Sequence, residues 1–179
     1  MQEGRIYEFK IVRKMKSINI EKISECVLNY CKEEEVTPYI ISLTIVYGMR
    51  KGDSYETPDL IISLETKEEI LKAKMSESYK TLIWNQAEYE HQEIAYACIS
   101  NYFGDNCKDS EEYYSIERSY EYYTKLFIEL KNDFLNYIHK NSPFKPIVYV
   151  QNVHDNYKTV VKMNFTQNEI LTLEKEGLY

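Results

Sequence analysis

A stripe of apolar side chains in the second half of the chain constrains the fold more than any other feature. Its members recur at alternating spacings of four and three residues: Ile116, Tyr120, Tyr123, Phe127, Leu130, Phe134 and Tyr137. This period describes one face of an α-helix of about 27 residues. A capping-box pattern, Asp109 to Glu112, precedes the stripe, and Pro143 follows it, so we predict one long amphipathic helix over 111–139.

Such a helix either lies across a sheet of its own chain or pairs with a second helix in a coiled coil. The β-rich segments elsewhere favour the sheet. Residues 39–47 are β-branched and aromatic, and alternate positions place Tyr39, Ile41 and Leu43 on one face. Residues 60–64 form a second apolar run, which predicts an antiparallel pair with a long connection.

The remaining strands and helices are predicted from shorter patterns. Further strands are expected at 5–12, 146–150 and 159–163, and residues 79–84 are expected to be a third strand or an extended linker. Helices are predicted from Asn19 to the acidic run at 32–35, from the capping box at Thr66 to Met75, from Asn85 to Gly104, and from the capping box at Thr166 to Gly177. The fold class is therefore α+β, a single domain over 1–179 with one mixed or mainly antiparallel sheet and helices packed on it.

Charge and composition limit the classes of partner. The chain carries 29 acidic against 22 basic Lys and Arg residues, a net charge of −7. This charge disfavours binding to nucleic acid and to anionic membranes, and it allows a basic protein partner. Tyrosine is abundant, at 18 residues, which suits half-buried positions and interfaces. The first residues lack a signal-peptide pattern and no apolar run could span a bilayer, so we expect a cytoplasmic protein.

No complete catalytic, cofactor or metal motif is present in the sequence. Glu88 and His91 match half of a di-metal carboxylate signature, but the second half is missing. The pair His154 and Asp155 falls in a predicted turn, where such residues are common for backbone reasons. We therefore predict no cofactor, no metal and no catalytic residue.

The four cysteines form no Cys-x-x-Cys pair, and Cys26 and Cys31 point to different sides of a helix. Free thiols are therefore expected. Cys98 is predicted to be buried and inert, whereas Cys107, beside Lys108 in a predicted loop, is the most reactive by sequence.

Two segments are candidate partner-binding surfaces because they combine tyrosines with carboxylates. Aromatic anchors prolong a complex and flanking charges steer its formation, although an ordinary solvated helix face has the same composition. The first segment surrounds the single tryptophan and the second is the polar side of the predicted long helix. The candidate residues are Trp84, Glu88, Tyr89, Glu112, Tyr113, Tyr114, Glu117, Glu121 and Tyr122.

The segment from Trp84 to His91 resembles a group of uncharacterised bacterial proteins of similar length. In those proteins a leading helix and two strands come first, and a Trp-x-x-Ala-Glu-aromatic segment then opens a middle helix. Trp84, Ala87, Glu88 and Tyr89 match this pattern, and Gln86 stands where proline is expected. Members of such groups often resemble immunity proteins, cytosolic antidotes that bind and block polymorphic toxins. The resemblance implies a protein partner and no catalytic residues.

Three functions remain as hypotheses. The first is a non-enzymatic binding module, most concretely an immunity protein with a basic toxin domain as its partner. The second is a small enzyme whose site surrounds Trp84, Glu88 and His91. The third is a homo-oligomeric adaptor, such as a homodimer, that uses the long helix.

Overall fold

The computed structural model describes residues 20–46, 59–98, 116–152 and 155–179. In chain order the elements are α1 (Ile20–Glu33), β1 (Pro38–Val46), β2 (Asp59–Thr66), α2 (Lys67–Ala73), α3 (Tyr79–Ile83), a 3₁₀ turn (Gln86–Glu88), β3 (His91–Cys98), α4 (Ile116–Asn141), β4 (Ile147–Asn152), α5 (Tyr157–Asn164) and α6 (Gln167–Lys175).

The described strands form one mixed sheet in the order β3-β2-β1-β4. β1 is antiparallel to β2 and β2 is antiparallel to β3, whereas β4 runs parallel to β1. The parallel pair needs a long crossover, which includes α4. The predicted α+β class with a single mixed sheet is confirmed.

One face of the sheet packs against α1 and α4. Ile41, Leu43 and Ile45 point from β1 into this layer, as the alternation in the sequence predicts. Tyr39, predicted for the same face, packs with the opposite cluster, and the register of β1 shifts between Pro38 and Ile40. Val27 of α1 and Phe134 of α4 meet them there, and both side chains are fully buried. The amphipathic α1 therefore forms where it was predicted, because its apolar face has the sheet to pack against.

The opposite face of the sheet packs against the four short helices. Its apolar cluster includes Ile40 of β1, Trp84 after α3 and Val160 of α5. Polar side chains are also buried in the sheet: Ser42 Oγ and Thr44 Oγ1 lie 2.8 Å apart, and Gln151 Nε2 donates to Thr44 Oγ1 at 3.0 Å. These hydrogen bonds offset the cost of burying the polar groups.

The C-terminal half of α4 lies in the core of its own chain. Leu130, Phe134 and Ile138 are fully buried, whereas Tyr137 is partly exposed and donates a hydrogen bond to Glu25. The buried face of α4 therefore continues from Phe134 to Ile138, whereas the predicted apolar stripe continued from Phe134 to Tyr137. The start of the predicted helix at 111 lies outside the described residues, so the amphipathic helix over all of 111–139 stays a prediction.

Three predicted elements are wrong. Residues 79–84 were expected to be extended, but Tyr79–Ile83 is the helix α3. Asn85 does accept a hydrogen bond from the backbone of Ala87, as a cap should, but it caps only the 3₁₀ turn. The chain then enters β3, because pairing with β2 supplies the backbone hydrogen bonds that a helix would otherwise supply.

The third error concerns residues 159–163, which were expected to be a strand and belong to α5. Asn156 caps this helix by accepting from the backbone amide of Thr159, and Val160 and Val161 are buried. Asn164 at its end binds Val150 of β4 through both side-chain ends, accepting from the amide at 2.7 Å and donating to the carbonyl at 2.6 Å. The edge of β4 is therefore satisfied there by a side chain and not by another strand.

The capping boxes at Thr66 and Thr166 are confirmed, with both reciprocal hydrogen bonds present in each. Residues 5–12, the capping pattern at 109–112 and the loop around Cys107 lie outside the described residues, as does His154. Within the described ranges, no helix is long and apolar enough to cross a membrane.

Candidate functional site

Trp84 lies in the core and not on a surface. Its side chain is 2% exposed, and its indole Nε1 donates to the carbonyl oxygen of Leu178 at 2.8 Å. The ring makes edge contacts with Tyr149 and Phe165, at centroid distances of 5.1 and 5.7 Å. Trp84 therefore joins α3 to the C-terminus and to β4, and its side chain is part of the core.

Tyr89 is buried beside it. Its hydroxyl donates to the carbonyl oxygen of Ile83 at 2.6 Å and lies 2.8 Å from the hydroxyl of Tyr149. Burial raises the pKa of Tyr89 well above its ordinary value, and the neighbouring Tyr149 adds to this effect. The hydroxyl is therefore a fixed hydrogen-bonding group that holds the end of α3 against the sheet.

We expect Tyr89→Phe to lower the free energy of unfolding by about 2 kcal/mol, because it leaves the Ile83 carbonyl and the Tyr149 hydroxyl without this partner. Urea denaturation followed by circular dichroism measures the change. Tyr79→Phe, on the partly exposed start of α3, is the matched control and should change the value by less than about 0.5 kcal/mol. Equal effects of the two changes would contradict the assignment.

An acidic cleft opens next to this aromatic core. Its volume is about 320 Å³, and it is bounded by the end of β2, by α2, by α3 and by the 3₁₀ turn. Four carboxylates and one lysine stand among apolar walls; the lining residues are Glu65, Glu69, Glu88, Glu90, Lys72, Ala73, Ser76, Leu82 and Ile83. Concave places that combine apolar walls with a few polar groups are candidate binding sites.

Glu65 is the most deeply placed of these carboxylates. The residue is 7% exposed, and its Oε2 has no hydrogen-bond partner among the described residues. Burial raises the pKa of Glu65 from 4.5 to about 7, and the charges of Glu69 and Glu90 act in the same direction. A hydrogen bond with the backbone amide of Glu90 opposes the increase without cancelling it.

Glu69 and Glu90 form a hydrogen-bonded pair of carboxyl groups in the cleft. Burial acts to raise the pKa of Glu69, but hydrogen bonds with Glu90 and Thr66 and the proximity of His91 lower it overall. The hydrogen bond with Glu69 raises the pKa of Glu90. The two carboxyl groups therefore titrate as a pair and not independently.

His91 completes the charged cluster from the first position of β3. Its Nε2 is 3.3 Å from Oε1 of Glu69, and its Nδ1 is 2.9 Å from the hydroxyl of Tyr30 on α1. The tyrosine and histidine rings meet edge to face at a centroid distance of 5.9 Å. His91 is thus oriented by α1 and α2 together, on a strand and not on the helix that we predicted.

The structure brings together only some of the predicted site residues. Glu88 lines the cleft and His91 stands behind Glu69, whereas Trp84 and Tyr89 turn into the core. Three candidates lie outside the described residues: Glu112, Tyr113 and Tyr114. The side chains of three more, on the first turns of α4, also lie outside the description: Glu117, Glu121 and Tyr122.

Glu65 and Glu69 line the cleft, although the sequence did not predict them as site residues. Glu65 ends an apolar strand, and Glu69 was recognised only as the last residue of a capping box. The sequence carries only a weak indication of this site. Glu65 and Glu69 are four residues apart across a strand-to-helix boundary, and two further acidic residues, Glu88 and Glu90, follow α3. Nothing in that spacing predicts that the four carboxylates line one cleft.

Cys26 and Cys31 are free, as predicted. Burial raises the pKa of the Cys31 thiol to about 11, which makes it a weak nucleophile. Among the residues that the structure describes, no group of three or more His, Cys, Asp and Glu side chains is arranged to hold a metal ion.

Comparison of the chain with protein-family models, with curated proteins and with solved structures gives no significant match in any of the three. The chemistry of the cleft must therefore be argued from its own residues. A carboxyl group with a pKa near 7 exchanges a proton at neutral pH, and in its ionised form it attracts cations.

Proposed function

We propose that the protein is a non-enzymatic protein-binding module, and most concretely a cytoplasmic bacterial immunity protein that binds and neutralises a cognate toxin. The acidic cleft carries this proposal, since it gathers four carboxylates, two of them exposed, on a chain with a net charge of −7. The resemblance at Trp84, Ala87, Glu88 and Tyr89 supports the same class. The partner that fits this charge is a basic protein domain.

Glu88 and Glu90 are the exposed carboxylates of the cleft, and they belong to one short segment beside α3. Exposed charges act mainly during the approach of a partner, because their fields extend over about a Debye length, roughly 8 Å at physiological salt. Carboxylates that become buried in the complex act mainly on its lifetime. The cleft offers both kinds, with exposed groups at its rim and Glu65 below them.

Co-expression with the protein encoded immediately upstream, followed by a pull-down, is the first test. We expect a complex, and we expect the neighbour to be toxic when it is expressed alone. A neighbour that neither binds nor carries a toxin domain would overturn the immunity assignment.

Association kinetics then locate the surface. We expect Glu88→Lys with Glu90→Lys to slow association by about tenfold at low salt and by much less at high salt, because the change removes steering charge. Surface plasmon resonance measures both rates. Glu129→Lys with Asp133→Lys, on the exposed side of α4, makes the same charge change away from the cleft and is the control.

The polar side of the long helix is tested in the same assay. Glu112→Lys with Glu117→Lys should slow association only if this helix face also meets the partner, and Tyr113→Ala or Tyr122→Ala should then speed dissociation. If the helix pair slows association and the cleft pair does not, the partner binds at the helix and the cleft is not its site.

A further inference from the structure

We propose that the acidic cleft is a recognition site for a guanidinium group, the side chain of an arginine that the basic partner inserts, with Glu65 as the carboxylate that receives it. This inference rests on the proposed function and adds the chemical identity of the group that is bound. It concerns Glu65, Glu69, Glu88 and Glu90 as one site.

The observation that points to a ligand is the unpaired oxygen of Glu65. The residue is 7% exposed, and its Oε2 has no hydrogen-bond partner among the described residues. A buried carboxylate oxygen without a donor costs free energy, and a cationic donor offsets that cost best. Glu65 lines the cleft, so a donor group bound in the cleft lies beside this carboxylate.

The size and the walls of the cleft favour an organic cation over a single ion. A volume of about 320 Å³ exceeds what one ion needs, and Ala73, Leu82 and Ile83 supply apolar walls. A guanidinium group is planar, weakly hydrated and carries five donors in a fixed fork. It can therefore stack against such walls and still donate to more than one carboxylate. The aliphatic stem of an arginine would lie along the same apolar surface.

Two basic residues near the site act against a bound cation. Lys72 lines the cleft, and its Nζ is 3.5 Å from Glu68, which lies outside the lining. His91 is paired with Glu69 and adds a positive charge when it is protonated. Removal of the charge of Lys72 should therefore strengthen the binding of a cation. If the carboxylates had only a structural role, the same change would not increase cation binding.

Proton linkage gives the site a pH dependence. Burial and the charges of Glu69 and Glu90 raise the pKa of Glu65 to about 7, so it is mostly protonated at pH 6 and mostly ionised at pH 8. A guanidinium binds the ionised form, which changes from roughly a tenth to nine tenths of the population over that interval. Affinity should therefore rise by about tenfold from pH 6 to pH 8.

The test uses a small probe, so that it does not depend on the partner. Blocked arginine, N-acetyl-arginine-N-methylamide, is titrated into the labelled full chain and followed by amide NMR at pH 6 and pH 8. We expect saturable shifts at Glu65, Glu90 and Ile83 with a dissociation constant in the millimolar range. The citrulline analogue, which has the same shape without the charge, should not bind, and the lysine analogue should bind about fivefold or more weakly.

Variants assign the site. Glu65→Gln should weaken arginine binding by about tenfold or more and remove most of its pH dependence, whereas Lys72→Gln should strengthen binding a few-fold. Glu129→Gln, on α4, is the control and should change nothing. An amide spectrum like that of the wild type shows that a variant is folded. If Glu65→Gln does not fold, the expected increase in arginine affinity of Lys72→Gln still tests the site.

Several outcomes would overturn the inference: no shift at Glu65 with blocked arginine, equal binding of the lysine analogue, or unchanged binding by Glu65→Gln. Its failure is distinguishable from failure of the proposed function. A toxin complex that forms while the arginine probe does not bind removes only the guanidinium site. A probe that binds where no protein partner is found keeps the site and removes the immunity role.

Discussion

Trp84→Ala should lower the free energy of unfolding by about 4 kcal/mol, the largest loss that we expect from a single substitution in this chain. The indole is 2% exposed and contacts the rings of Tyr149 and Phe165. Its removal leaves a large cavity between α3, β4 and the C-terminus, and it also leaves the carbonyl of Leu178 without its donor. A domain of this size is stable by only about 5–15 kcal/mol, so a measurable fraction should unfold in mild denaturant.

Urea denaturation followed by circular dichroism measures the loss. Trp84→Phe should fall between the wild type and Trp84→Ala, because it keeps most of the apolar contact and loses the hydrogen bond, at a cost of about 2 kcal/mol. Leu171→Ala, at a position that is 44% exposed, is the control. A loss below about 1 kcal/mol for Trp84→Ala would contradict the core position of the indole.

Glu65→Gln should stabilise the protein at alkaline pH. The pKa of Glu65 rises on folding from 4.5 to about 7, so the folded state holds this proton more tightly than the unfolded state does. The stability that this adds is complete below pH 4.5 and is lost as the pH rises through 7. Glutamine resembles the protonated acid and cannot ionise, so relative to the wild type the variant should gain about 3 kcal/mol between pH 4 and pH 8.

Denaturation curves for both proteins across this pH range measure the gain. Glu69→Gln is a control of opposite sign, because the pKa of Glu69 is lowered by its hydrogen bonds and by His91 despite its burial. Its ionised form stabilises the folded state above pH 4.5, and this stability is lost as the pH falls. Glu69→Gln should therefore destabilise the protein at pH 8. A pH-independent effect of Glu65→Gln would show that Glu65 is not the buried acid described here.

Elements with local signals were predictable from the sequence. The capping boxes at Thr66 and Thr166 begin helices because each satisfies two backbone amides with side chains three residues apart. The pair β1 and β2 followed from β-branched runs, since such residues suit a pleated, buried surface. The helix α1 was predictable from its apolar residues, because they recur at the helical period and so form one face that packs against a core.

Elements whose conformation depends on distant partners were not predictable in this way. The β-branched Val160 and Val161 favour a strand by their propensity, but they belong to the helix α5. Asn164 at the end of this helix binds the edge of β4. The segment after Asn85 read as a helix and became β3, because β2 offers an unpaired edge. Local propensity is weaker than these tertiary hydrogen bonds.

The sequence by itself determined the α+β class, the acidic charge and the position of several helix starts, since these depend on composition and on neighbouring residues. Only the tertiary structure decided which residues form a site. It turned Trp84 and Tyr89 inward, where their hydrogen bonds are satisfied, and placed Glu65, Glu69, Glu88 and Glu90 around one cleft. Carboxylates become a site through their distance and their shared burial, and those quantities arise only when strands and helices pack.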